Sequence, residues 1–176
     1  MRSAHGLLGL SLLAAGLLAA PVACVDVVHQ QDVDALGPEQ PGVPPGPTHR
    51  PGQPCLACHG GSGPAKLQFS VGGTVYAVQG QTQPAVNAAV QIEDVDGKTW
   101  TVFTNEVGNF FVTLRDFQPH YPTTNTVTSA DGMNTQQMGT LDNRDGSCAD
   151  CHTATPGTNS AGPVWIARAA ADGGAP

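Results

Sequence analysis

The chain has 176 residues, with 7 Lys plus Arg against 14 Asp plus Glu and a formal net charge of -7. That length holds one domain with tails, and the acidic balance excludes a nucleic-acid partner, because no basic stripe is present to release counterions from a phosphate backbone. With 22 Gly and 15 Pro the chain is too punctuated for a helix bundle, and with 40% hydrophobic residues it is too apolar to be wholly disordered; short strands, loops and a disordered portion are expected.

Residues 1–23 read as an export signal. Arg2 precedes an apolar run from Leu7 to Ala20 that is broken only by small residues. A helix needs roughly 20 residues to span a bilayer, so this run is short for a permanent anchor and right for a signal peptide. It closes in Val22-Ala23-Cys24, which resembles the lipobox at which bacterial lipoproteins are cleaved and acylated, although Pro21 departs from the Leu, Val or Ile preferred there. The resemblance implies a lipid on Cys24; ordinary cleavage after Ala23 is the alternative. Nothing after residue 24 is long and apolar enough to span a membrane.

Residues 24–54 are expected to form a disordered tether. Val25 to Pro54 contains seven prolines and four glycines, which remove backbone donors and favour an extended chain. At about 3.1 Å per residue it reaches on the order of 90 Å at most. Asp34 to Gln53 shows no hydrophobic periodicity. The competing expectation is that His29 or His49 does chemistry from this segment.

Two C-x-x-C-H motifs carry the chemistry: Cys55-Leu56-Ala57-Cys58-His59 in a first segment, 55–67, and Cys148-Ala149-Asp150-Cys151-His152 in a second, 141–176. In an exported chain the motif reads as c-type haem attachment. One helical turn puts both cysteines on the same face, as thioether bonds to the two haem vinyl groups require. The adjacent histidine then comes under the iron as its proximal ligand. Two covalent haem c groups follow, through Cys55/Cys58 with His59 and through Cys148/Cys151 with His152. Pro54 suits the start of the first turn and Gly60-Gly61 its end; Ser147 suits the cap of the second, with Asp150 as its capping-box partner. Three alternatives stay open. The cysteines can hold one zinc, at a spacing far beyond a zinc ribbon's and with the histidines unexplained. They can form disulfides, or a thioredoxin-like pair, although no βαβ pattern surrounds them. The candidate distal ligands are Met138, His120 and His49; a vacant sixth position is the alternative.

Residues 68–140, between the motifs, read as a small β-sandwich body. Strands are expected over Gln68 to Val78, with a bulge at Gly72-Gly73, and over Ala89 to Val95, Thr99 to Thr104, Asn109 to Leu114, Asn125 to Ser129 and Thr135 to Thr140. Val164 to Arg168 closes the sheet. Asp96-Gly97 and Gly108 mark tight turns. Seven short strands at this spacing suggest an Ig-like sandwich.

Gly73-Thr74-Val75, Pro84-Ala85-Val86-Asn87-Ala88-Ala89-Val90 and Thr104-Asn105-Glu106-Val107-Gly108-Asn109-Phe110 resemble, in order, the carboxypeptidase regulatory-like domain. The resemblance covers roughly Gln68 to Leu114 and implies a transthyretin-like sandwich, a fold more than a function. The order of motif, sandwich and motif, with Gly72-Gly73-Thr74-Val75-Tyr76 and a Thr153 after the second motif, also resembles small exported proteins of cytochrome-rich delta-proteobacteria.

Together these point to a lipid-tethered dihaem cytochrome c that transfers electrons at the cell envelope, in the periplasm or at the outer-membrane surface. Its expected partners are other redox proteins of the envelope, and the membrane through the lipid. The alternative is a binding or structural module in which haems, or a Cys-ligated metal, act as staples. No nucleophile–base pair and no phosphate loop is present, so an enzyme is not expected. Short connections from each motif to the sheet place both haems at one end of the sandwich, provided that the strand before the second motif runs antiparallel to the first strand. Replacing Cys24 with Ala is expected to move the protein from the membrane to the soluble fraction; acyl mass on the mature wild-type N-terminus checks the same expectation.

Overall fold

The computed structural model describes residues 26–39 and 41–169. The signal segment 1–23 and Cys24 lie outside the described residues. Two sheets form from the strands that alternation marks out. In the first, β1 (Phe69–Val78) pairs antiparallel with β4 (Asn109–Thr113). In the second, β2 (Ala89–Glu93) lies between β3 (Thr99–Phe103) and β5 (Thr124–Thr128), and β6 (Thr135–Gln137) adds to β5, all antiparallel. The period-2 pattern sends Val71 and Val75 of β1, Val90 and Ile92 of β2, Phe110 and Val112 of β4 and Val127 of β5 into one core. Each such aliphatic side chain taken fully from water stabilises the fold by roughly 1.5–3 kcal/mol.

The other edge of β1 is closed in two instalments. β7 (Gly146–Ser147) runs parallel to β1 at Val71 and Gly72. The chain then leaves the sheet for a short helix, α3 (Cys148–Cys151), and returns as β8 (Val164–Ala167), parallel to β1 at Val75, Tyr76 and Val78. The second motif is thus an excursion from a single parallel edge. The first motif is α2 (Cys55–His59), which packs on β1.

All seven expected strands are present, six of them shortened by a few residues and β5 shifted to begin at Thr124. β7, two residues long with a glycine, gave no periodicity to read. The bulge in β1 falls between Phe69 and Val71, not at Gly72-Gly73. The strand leading toward the second motif, β6, belongs to the other sheet, and the strand that enters the motif is parallel to β1, not antiparallel.

Residues 26–54 also differ from the expected free tether. Asp26 accepts a hydrogen bond from His29 N at 3.1 Å and caps α1 (Val27–Ala35), which ends before Gly37-Pro38, where Pro cannot continue a helix. The proline-rich stretch then docks on the body. Asn105 Nδ2 donates to Pro47 O at 2.6 Å, Asn109 Nδ2 to His49 O at 2.9 Å, and Gly52 N to Thr74 Oγ1 at 2.7 Å. Prolines offer no N–H to a sheet, but their carbonyls and those of their neighbours accept from asparagine amides.

Three separated segments interlock behind β1. Thr104 Oγ1 is buried, donates to Ala85 O at 2.5 Å and accepts from Ala88 N at 2.8 Å. Asn105 Oδ1 accepts from Val107 N at 3.1 Å and Asn109 N at 3.0 Å. Gly108 takes φ +81°, and a Cβ there would collide with Val75 O, so only glycine closes this turn against β1. Thr104→Val keeps the shape but leaves the buried Ala88 N–H without this partner; it is expected to lower stability by about 1–3 kcal/mol, measured by urea unfolding at constant m-value.

Candidate functional site

Each CxxCH turn is a helix too short to stand alone, and each is pinned by its surroundings. In α2, Ala57 N bonds Pro54 O at 3.2 Å and Gly60 N bonds Leu56 O at 2.9 Å. The chain then folds back, with Ala65 N on Cys58 O at 2.9 Å. In α3, His152 N bonds Cys148 O at 2.9 Å, and Ala161 N bonds Cys151 O at 3.2 Å. Ser147 occupies the N-cap position of α3, but its side chain makes no capping hydrogen bond, so the capping box expected there does not form.

The two histidines are built alike. His59 Nδ1 lies 2.8 Å from Leu67 O, and His152 Nδ1 lies 2.8 Å from Gly162 O. A carbonyl oxygen only accepts, so Nδ1 carries the proton in both rings and Nε2 is left as the basic nitrogen. That is the way a protein fixes the tautomer and orientation of a ligating imidazole. The His59 ring also stacks on Phe69, centroids 4.1 Å apart at 6°, and Phe69 stacks on Phe111 at 4.6 Å.

The motifs meet across one strand. A Cβ built on Gly72 would lie 3.0 Å from Cys55 Cβ, and one on Gly73 would lie 2.8 Å from Cys148 Cβ and 3.1 Å from Phe110 Cε1. Consecutive residues of a strand face opposite ways, so Cys55 lies over one face of β1 and Cys148 over the other. The antiparallel approach expected to gather both motifs at one end of the sandwich does not occur. The motifs meet instead beside the middle of β1, on its two faces, because β7 enters there in parallel.

Burial raises the thiols that touch the strand: Cys55 is pushed up to about 11, and Cys148, with Cys55 nearby, to about 12. All four motif cysteines carry free thiols, and Cys151 is exposed. Among the described residues no Cys of the motifs joins a cluster of three metal-ligating side chains, as a single four-cysteine zinc site requires.

A cavity of about 850 Å³ opens beside the second motif, lined by Cys148, Cys151 and His152 together with Met138, Phe110 and Trp165. Its volume falls in the range of roughly 300–1,000 Å³ usual for ligand and cofactor pockets. Asp142 and Asp150 also line it, and burial, with Asp145 nearby, raises both carboxyls.

Of the distal candidates, Met138 lies with His152 on this cavity. His49 lies beside the first motif, its ring centroid 5.9 Å from that of His59. His120 joins neither: its Nδ1 bonds Asp96 Oδ2 at 2.6 Å, and His120, Asp94 and Asp96 form an acidic turn in which Asp94 accepts from the backbone of Asp96, Lys98 and His120. His29 of α1 has a buried Nε2 without a hydrogen-bond partner. Sequence reasoning did not find Glu39, Arg50 and Asn109, which fix His49, or the role of Leu67 O and Gly162 O. The last two are backbone carbonyls and leave no trace in residue type.

With all four motif thiols free, they are expected to alkylate unequally, Cys151 first and Cys55 and Cys148 last. A thiol reacts as its thiolate, so a raised pKa moves the reaction of Cys55 and Cys148 to strongly alkaline pH. Mass spectrometry of peptides after timed iodoacetamide treatment at pH 8 and pH 10 checks the order.

Comparison of the chain with protein-family models, with curated proteins and with solved structures returns no match.

Proposed function

We propose that this chain is an exported dihaem c-type cytochrome that carries single electrons at the cell envelope. One observation carries this reading: both CxxCH turns end in a histidine whose Nδ1 is tied at 2.8 Å to a backbone carbonyl, which leaves Nε2 as a pre-oriented base. A bare pair of cysteines for zinc or a disulfide needs no such histidine. Haem bound at the two motifs would supply one-electron redox chemistry. The chain's own residues do the rest. Cys55 with Cys58, and Cys148 with Cys151, offer thiols one helical turn apart for covalent attachment, and His59 and His152 offer Nε2 to the metal. Phe110 and Trp165 give one part of the wall of the cavity beside the second motif an apolar surface against which the group would pack. Attachment points on the two faces of one strand would hold the two groups near one another.

A transthyretin-like sandwich and a lipid on Cys24 belong to the same proposal. The first is supported by Thr104, Asn105 and Gly108, which tie the three resembling segments into one knot. The second rests on Val22-Ala23-Cys24. The partners are redox proteins of the envelope, and the role is that of a carrier rather than of an enzyme.

Protein produced with a c-type maturation system is expected to be red and to show two haems by pyridine haemochrome and by intact mass. Stoichiometric zinc and no haem in native material defeats the proposal. Gly73→Val places a branched side chain where Cys148 packs, so it is expected to lose one haem mass from the second motif while the peptide of Cys55 and Cys58 keeps its haem.

A further inference from the structure

The segment ahead of the first motif holds one histidine with unusual firmness. The His49 carbonyl accepts from Asn109 Nδ2 at 2.9 Å, so its backbone is fixed to β4. Its Nδ1 lies 3.1 Å from Glu39 Oε1, and that same oxygen accepts from Arg50 Nε at 2.9 Å. Arg50 in turn donates to Leu36 O at 3.3 Å, Gly37 O at 2.7 Å and Gln53 Oε1 at 2.7 Å, which joins the end of α1 to the residues just before Cys55. Ring, carboxylate and guanidinium form one hydrogen-bonded unit.

His49 Nε2 makes no hydrogen bond among the described residues. A carboxylate on the remote nitrogen is the usual device for orienting a ligating imidazole and raising its basicity. The ring stands 5.9 Å, centroid to centroid, from His59 and is turned 71° from it. Two imidazoles that bind one metal from opposite sides, with bonds of about 2 Å each, have centroids about 6 Å apart. Thus the centroid spacing of the two rings, which meet edge-on, equals that of two imidazoles on one metal. His120 is committed to Asp96, and Met138 lines the cavity of the second motif.

We infer that His49 is the second axial ligand of the first haem, opposite His59, with Glu39 and Arg50 as positioning residues. The inference rests on the dihaem reading. It makes residues 47–54 a ligand-bearing strap rather than a spacer, and it gives the first centre two imidazoles while the second centre's surroundings offer a thioether. Met/His coordination raises a potential relative to two nitrogen donors.

The test uses the full-length, haem-loaded protein. Haem content by pyridine haemochrome, ferric spin state by electron paramagnetic resonance and reduction potentials by titration are read for the wild type and for His49→Ala, His49→Met and His29→Ala. The expected result is two haems in every variant. In His49→Ala one of the two loses its low-spin bis-imidazole signal, and added imidazole restores it. In His49→Met, which keeps a ligand and the packing, the potential of one centre rises. His29→Ala is unchanged. Two haems with spectra and potentials unaltered by either His49 substitution overturn the inference alone, as does a loss of the low-spin signal in His29→Ala only. A wild-type protein without haem overturns the dihaem reading as well.

Discussion

Neighbouring residues of a β-strand face opposite ways, and each normally fills its side with a side chain. At Gly72 and Gly73 β1 has none on either side, and both hollows are taken by cysteines, Cys55 over one face and Cys148 over the other. This close approach sets the rest of the arrangement. α2 reaches the outer face of β1 only because Gly72 yields to Cys55 and Leu56. The parallel edge of β7 and β8 has to break open at Ser147 so that α3 brings Cys148 against Gly73 and Phe110. The cavity with Met138 and Trp165 then lies where the edge opens.

The two faces give the motifs unlike surroundings. The first motif lies on an externally braced surface, where His59 stacks on Phe69: Thr74 and Asn109 bond each other at 2.7 Å and also hold the approaching chain at Gly52 and His49. The second lies against the core, where Cys148 packs on the cluster that contains Val71, Val75 and Phe110. Exposure, hydrogen bonding and nearby charge are the means by which a protein separates the potentials of chemically identical centres. A fold with one symmetrical pocket for each motif has none of these differences to use.

Much of the body was legible in the residues. Val90/Ile92 and Phe110/Val112 alternate cleanly and mark their strands, Gly97 and Gly108 mark their turns, and the CxxCH spacing marks both short helices without help from the fold. Other features were hidden for physical reasons. β7 is two residues long, and no period can be read from Gly146-Ser147. Gly72-Gly73 suggested a bulge because glycine in a strand signals either a bulge or a close neighbour, and nothing local says which. The prolines of residues 38–54 looked like a free spacer because proline forfeits donors; the contacts that dock the segment come from Asn105 and Asn109, more than 50 residues away in the chain. Hydrogen bonds from histidines to carbonyls are invisible to any scan of residue types.

The docking of the proline-rich segment bears on how far the protein can search. A freely extended chain of this length would let the sandwich sweep a wide volume around an anchor at Cys24. With Pro47, His49 and Gly52 fastened to the body and Val27–Ala35 coiled at about 1.5 Å per residue, most of that leash is wound in. On the proposed reading, a molecule held at Cys24 sits close to its surface in a restricted set of orientations, and its partners are those that come to the same short height rather than ones caught at a distance.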